Sequence, residues 1–197
     1  MKISLKKCKK GEYGYLDYQH FYSSLRALLV FLVALIIFFA GYLYYGNKEN
    51  IVTVLSVLTL LPASHMLVLC IMYWRFSTGS EEFYKKASKI LDGDCAQFYD
   101  SVITIEKGGS YPVNLFVCIE KTLIAYTEID YGASGIIEKH IKSMLSSNQI
   151  NGVSVKVFTK EDAFLNRLSE LKGKFATDNE IKDVDFQTIA LIKALSL

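Results

Sequence analysis

The residues best suited to chemistry are few and lie far apart in the chain. They are the four cysteines and three histidines: Cys8, Cys70, Cys95, Cys118, His20, His65 and His140. No two cysteines form a CxxC pair, and no combination of these residues has the spacing of zinc ligands. The chain also contains no phosphate-binding glycine loop, no GxSxG elbow and no HExxH helix. We therefore expect no catalytic residues, no metal and no cofactor, and reduced thiols rather than disulfides.

One polar group stands out by its surroundings, because Pro62, Ser64 and His65 interrupt a long apolar run. An ionisable side chain in such a run is either functional or satisfied by neighbouring polar groups. Proline removes a backbone donor and predicts a kink near residues 58–62. A lone histidine without a carboxylate makes a poor proton path. Packing or association between copies is therefore the favoured interpretation, and a transport path is the alternative.

Two apolar segments must position this polar group. Residues 27–45 and 51–74 contain no Asp, Glu, Lys or Arg, and at about 1.5 Å per residue each helix matches a hydrocarbon core of about 30 Å. The short polar loop at 46–50 predicts an antiparallel transmembrane hairpin over residues 27–74. Basic residues precede the first segment and follow the second. The positive-inside rule therefore predicts a multi-pass protein of the cell membrane with both termini in the cytoplasm.

Residues 1–26 form a basic and aromatic arm before the first span. Its cations next to the predicted membrane surface include Lys6, Lys7, Lys9, Lys10 and Arg26. Such residues attract anionic lipid headgroups, and with aromatic residues they are also typical of single-stranded nucleic-acid binding. Proximity to the first span favours lipid. The 14 basic and 17 acidic residues of 81–197 give that region a net charge of −3, which argues against a nucleic-acid partner.

Residues 78–197 predict a cytoplasmic α+β domain of two layers. Alternating strands and amphipathic helices follow in the order α-β-β-β-α-β-α, with a further terminal helix, and the first three strands predict an antiparallel meander. The second strand is expected to place Val113, Leu115, Val117 and Ile119 on one face. The acidic residues Asp178, Glu180, Asp183 and Asp185 are interpreted as part of a solvated linker.

The amino-terminal opening, the loop at 46–50 and the Leu-Pro-Ala-Ser stretch at 61–64 resemble uncharacterised two-helix membrane proteins of clostridia-type bacteria. The resemblance covers mainly residues 1–90. It implies a bacterial membrane setting and no particular activity.

The element order of the domain resembles the restriction-endonuclease-like core. That resemblance implies an Asp on the second strand and a Glu-x-Lys on the third, which together hold Mg²⁺ and activate water. Here Asn114 stands at the first place, and Glu120 and Lys121 are adjacent. Asp100 and Glu106, on the first strand, do not restore the spacing. The resemblance therefore implies the fold without its catalytic residues.

The leading hypothesis is a membrane-anchored, non-enzymatic binding or scaffold protein that presents a cytoplasmic α+β domain. A membrane-tethered nuclease-like enzyme is the alternative, and an oligomeric pore or transport component is a second alternative. The expected partners are anionic lipid headgroups and a protein, with a second copy of this chain as one candidate.

Overall fold

The computed structural model describes residues 8–47, 49–91, 95–105, 109–128, 132, 134–173 and 179–196. Their helices and strands are α1 (Tyr15–Tyr45), α2 (Ile51–Trp74), α3 (Glu81–Ile90), β1 (Ala96–Ile105), β2 (Gly109–Ile119), β3 (Thr122–Tyr126), α4 (Ser134–Ser147), β4 (Ser154–Phe158), α5 (Glu161–Lys172) and α6 (Asn179–Leu195). The α+β class and the predicted element order are confirmed. The chain divides into a hairpin unit, which contains Leu16–Ser77, and an α+β unit, which contains Cys8–Tyr15 together with Thr78–Leu197.

The helices α1 and α2 pack as a hairpin along a contact line of small residues. Ala34 and Gly41 are buried in α1, and Ser56 and Ala63 are buried in α2. Within each helix the two residues are seven positions apart, the repeat that keeps one face of a helix against an antiparallel partner. A Cβ added at Gly41 would lie 2.8 Å from both Cβ and Cγ1 of Val52. The two backbones therefore approach closely because these side chains are small.

The large apolar side chains of the hairpin unit point outward. Both helices are long and apolar enough to cross a membrane, and only 17% and 11% of their most apolar segments are buried. A core helix of a soluble protein is mostly buried, whereas Leu43 is 80% exposed and Leu61 is 66% exposed. The second helix coincides with the predicted segment 51–74, and it continues through Pro62. The first begins at Tyr15, twelve residues before the predicted span.

The α+β unit contains a mixed four-stranded sheet in the order β1-β2-β3-β4. Strands β1, β2 and β3 form the predicted antiparallel meander, and β4 lies parallel to β3 after the crossover through α4. One apolar cluster joins the sheet to α4 and α6, and a second joins its other face to α3 and α5. The unit therefore has three layers, and the predicted two-layer arrangement is wrong because helices cover both faces of the sheet.

The side chains of β2 change faces at Asn114. Val113 and Phe116 belong to the cluster under α4 and α6, whereas Leu115 belongs to the opposite cluster. Simple alternation would place Val113 with Leu115, so the prediction of a single face from Val113 onward is wrong. The ladder between β1 and β2 is interrupted at Asp100 and Asn114, which lie between the pairs Tyr99–Leu115 and Ser101–Val113. Asp100 has a φ of 46°, in the left-handed region. This backbone turn breaks the period of two that the prediction assumed.

Candidate ligand-binding site

The amino-terminal segment Cys8–Tyr15 packs as part of the α+β unit. The carbonyl of Gly11 accepts the N–H of Tyr99 at 3.1 Å, which pairs this segment with the outer edge of β1. The N–H of Gly14 donates to Oδ2 of the buried Asp100 at 2.6 Å. The left-handed residue that shifts the strand therefore also holds the amino-terminal segment. The described residues of the predicted arm, 8–26, divide between this segment and α1.

Tyr13 fixes the same segment from its other side. Its hydroxyl donates to the carbonyl of Gly79 at 3.0 Å. Its ring stacks on Tyr84 at a centroid distance of 4.3 Å, and Tyr84 in turn meets Tyr99 edge-on at 5.3 Å. These aromatic contacts hold residues just before α1 against residues just before and within α3.

A cleft of about 360 Å³ opens where the amino-terminal segment, β1 and α6 meet. Its apolar lining residues are Phe98, Phe186, Ile189 and Ala190. Gly11 forms part of the wall, and a Cβ there would lie 2.6 Å from the ring of Phe98. Gly11 also has a φ of +99°, so both its conformation and the available space require glycine. The cleft therefore combines an apolar floor with a wall that includes the backbone of Gly11.

The rim of the cleft is basic. Lys9, Lys10 and Lys193 line it together with Glu12, which gives a net charge of +2. Oε2 of Glu12 accepts the backbone N–H of Lys9 at 3.0 Å. The ion pairs found in the described part of the chain involve other lysines and arginines. No carboxylate of the described residues is therefore ion-paired with any of the three rim ammonium groups.

Lys10 lies deepest of the rim cations. Its Nζ donates to the backbone carbonyl of Ser196 at 2.5 Å. Burial lowers the pKa of Lys10, and the positive charge of Lys193 lowers it further. An ammonium group has three donors, and the bond to Ser196 uses one of them. The electrostatic setting therefore favours an anion beside Lys10.

Asp185 attaches α6, which supplies most of the apolar floor of the cleft, to the sheet. Glu120 and Lys121 have φ values of 50° and 58° and form the two-residue turn between β2 and β3. Their N–H groups donate to Oδ2 and Oδ1 of Asp185 at 2.8 and 2.9 Å. The thiol of Cys118 donates to Oδ1 at 3.2 Å. Asp185 is 6% exposed, so the interpretation of this residue as part of a solvated linker is wrong.

The residues at the restriction-endonuclease positions make structural contacts instead. Glu120 and Lys121 lie in the turn that Asp185 holds, and Asn114 Oδ1 accepts the N–H of Glu128 at 2.9 Å. Glu106 lies outside the described residues. Over the ranges that the structure describes, no group of three or more His, Cys, Asp or Glu side chains is placed to hold a metal ion.

The three residues of the predicted membrane polar site lie on the outer surface of α2. Pro62, Ser64 and His65 are all exposed, and the hydroxyl of Ser64 donates to the carbonyl of Leu61 within its own helix. Ser64 also borders a groove of about 510 Å³ between α1 and α2, which is otherwise lined by apolar side chains. Among the residues that the structure describes, no hydrogen bond links the side chains of Ser64 and His65.

A polar contact between the two helices, which sequence reasoning missed, lies elsewhere. Ser24 Oγ of α1 and Cys70 Sγ of α2 are 3.0 Å apart. Ser24 also donates to the carbonyl of His20, one helical turn earlier. Its spacing with Cys70 in the sequence gives no sign of the contact, which depends on how the two helices align.

The predicted basic arm is distributed over two places. Lys9 and Lys10 line the cleft, whereas the guanidinium of Arg26 lies 4.0 Å from the ring centroid of Tyr22 on exposed α1. Lys6 and Lys7 lie outside the described residues. The sequence signal for Lys9 and Lys10 was their charge, but Phe186 and Lys193 carried no signal because the fold alone brings α6 to this edge of the sheet.

Comparison of the chain with protein-family models, with curated proteins and with solved structures finds no match.

Proposed function

We propose that this chain is a membrane-anchored binding or scaffold protein without catalytic activity. The hairpin crosses the cell membrane, and the α+β unit lies in the cytoplasm, where it binds its partner. The observation that carries this proposal is the arrangement of side chains in the hairpin, with small residues at the helix–helix contact and large apolar residues outside. In water such a surface would be an aggregation site, whereas in lipid it is the ordinary outer surface of a helix pair.

The topology follows from charge. Of the basic residues that flank the hairpin, six precede the first apolar segment and four follow closely after the second, and the connecting loop contains one Lys. The positive-inside rule therefore favours the loop outside and both termini inside. On this proposal the basic residues near the hairpin meet anionic headgroups at the cytoplasmic surface.

The non-enzymatic part of the proposal rests on how the polar residues of the α+β unit are used. Asp100 and Asp185 accept backbone N–H groups, and Asn114 accepts another. Such side chains stabilise the fold and are not free to converge on a substrate. The basic cleft, in contrast, has cations and an apolar floor that are open to a ligand.

Cysteine labelling tests the topology. In a variant without native cysteines, a membrane-impermeant maleimide should label intact cells that carry Asn47→Cys, and should label Ser80→Cys and Ser110→Cys only after permeabilisation. Labelling of all three after lysis is the control for accessibility. Labelling at position 110 in intact cells would reverse the orientation, and recovery of the chain in the soluble fraction would remove the membrane from the proposal.

A further inference from the structure

We propose that the basic cleft binds an amphiphilic anion, meaning a single phosphate or carboxylate group carried on an apolar chain or ring. This inference rests on the proposed function, because it assigns a site and a ligand class to a binding module. The cleft is the space of about 360 Å³ between Cys8–Tyr15, β1 and α6.

The charge of the rim specifies the anionic head. Lys9, Lys10 and Lys193 lie around one opening, and within the described chain their ammonium groups have no carboxylate partner in an ion pair. The amino-terminal segment adds two of these cations, Lys9 and Lys10, to a unit whose residues 81–197 have a net charge of −3. A phosphate or carboxylate here would relieve the repulsion between Lys10 and Lys193 and would accept charge-assisted hydrogen bonds.

The floor specifies the apolar body of the ligand. Phe186 is 50% exposed at the cleft, and Phe98 and Ile189 are buried beneath it. A free inorganic anion would leave this surface in water, whereas an alkyl chain or ring would cover it. The volume lies in the range of about 300–1,000 Å³ that is usual for small-molecule pockets. Head and body together therefore explain both the charge and the apolar lining.

The amino-terminal segment makes the site depend on the complete chain. Lys9 and Lys10 come from residues before α1, and Lys193 comes from α6 near the carboxyl end. Contacts of Gly11 and Gly14 with β1 bring the three cations together. A fragment that begins after the hairpin would lack two of the three, so the test uses the full chain.

The experiment measures binding of octyl phosphate to the full chain in nanodiscs of zwitterionic lipid by isothermal titration calorimetry, with empty nanodiscs subtracted. We expect saturable one-to-one binding. The Lys10→Met, Lys193→Met double variant should bind about tenfold more weakly or worse, since each lost charged partner removes a charge-assisted hydrogen bond. Inorganic phosphate and octanol, which offer only the head or only the body, should each bind more weakly than octyl phosphate.

Two further variants serve as a control for the loss of charge and as an independent test of the cleft. Lys139→Met with Lys142→Met removes the same charge from exposed positions of α4 and should leave binding unchanged. Ala190→Trp fills the exposed floor of the cleft without removing a cation, and should also weaken binding by about tenfold. This second route tests the site even if the lysine variant folds poorly.

The source of the anion is decided by competition. If phosphatidylglycerol in the nanodisc reduces octyl phosphate binding to the wild-type chain, the natural ligand is a bilayer lipid. If it does not, the ligand is a soluble phosphate ester or carboxylic acid with an apolar chain or ring. Binding that is equal in wild type, the lysine variant and Ala190→Trp, or that does not exceed empty nanodiscs, would overturn the inference. Labelling of Asn47→Cys is independent of the cleft, so the membrane proposal stands or falls separately.

Discussion

Replacing Asp185 with alanine should loosen the whole α+β unit, because one carboxylate joins α6 to the β2–β3 turn. Its two oxygens accept the N–H groups of Glu120 and Lys121, at 2.8 and 2.9 Å, and Oδ1 also accepts the thiol of Cys118. A polar donor left without an acceptor in a partly buried place costs about 1–3 kcal/mol. Two such donors place the loss of unfolding free energy at about 3 kcal/mol, or about 100-fold in the unfolding equilibrium.

The conformation of the turn adds to this dependence on Asp185. Glu120 and Lys121 both adopt left-handed backbone angles, which cost non-glycine residues about 1–2 kcal/mol each and persist only where surrounding contacts hold them. Asp185→Asn keeps the shape but sets an amide NH₂ against one of the two N–H groups. We expect it to lose about half as much stability as Asp185→Ala.

The assay uses a native thiol as the reporter. Cys95 is buried in the α+β unit, and its labelling by a maleimide at increasing urea, located by mass spectrometry on the full chain in micelles, measures unfolding of that unit. Asp183→Ala removes the same charge from an exposed position two residues away and serves as the control. If Asp185→Ala and Asp183→Ala unfold at the same urea concentration, the carboxylate does not hold the turn and the reasoning fails.

Two further predictions concern the helix contact and the pH dependence of stability. Gly41→Leu should lower the melting temperature of the hairpin unit, because a Cβ at position 41 would already lie within 2.8 Å of Val52. Ala40→Leu, on the exposed side of the helix, should leave the melting temperature unchanged. Fluorescence of the chain's single tryptophan follows the transition, and equal melting temperatures of the two variants would contradict the close contact. Burial, and then the charge of Asp185, raise the pKa of Cys118, so the folded state keeps a proton that the unfolded state releases above about pH 9. The contribution of this thiol to the free energy of unfolding is therefore fully present below that pH. Above it, the free energy of unfolding should fall by about 1.4 kcal/mol per pH unit. Cys118→Ser should flatten the decline in urea titrations between about pH 9 and 10.5, and an unchanged slope would show that another group is responsible.

The element order was predictable from the sequence because each element carries its own local signal. Apolar runs without charges predict α2 and the part of α1 from residue 27 onward, alternation predicts the strands, and amphipathic spacing predicts the helices of the α+β unit. The face change at Asn114 was not predictable, because it depends on a left-handed backbone at Asp100, and that conformation is stabilised by the N–H of Gly14, 86 residues away. Local periodicity contains no information about such a contact.

The candidate cleft was only partly predictable, for the same reason. The charge of the amino-terminal arm indicated Lys9 and Lys10 as candidate binding residues. Their proximity to Lys193, in contrast, depends on how α6 packs against the sheet. That packing depends on Asp185, which the sequence presents among other acidic residues near a predicted linker. Composition predicts that all these acidic side chains are exposed to solvent. Asp185 is buried instead, because its carboxylate accepts the two N–H groups of the turn.

The hairpin is an insertion within the α+β unit, and the hydrogen bond from Tyr13 to Gly79 joins the two ends of that unit's chain. The chain leaves this unit after Tyr15 and re-enters it at Thr78, and the residues on either side of that excursion are 3.0 Å apart at the Tyr13 hydroxyl. During synthesis, residues 8–15 emerge first and must wait for both hairpin helices before β1 is available to them. The same proximity offers a route to a water-soluble protein. A short glycine-rich linker from Tyr15 to Thr78 would delete the hairpin and keep the residues whose contacts hold the amino-terminal segment, which are Gly11, Tyr13 and Gly14.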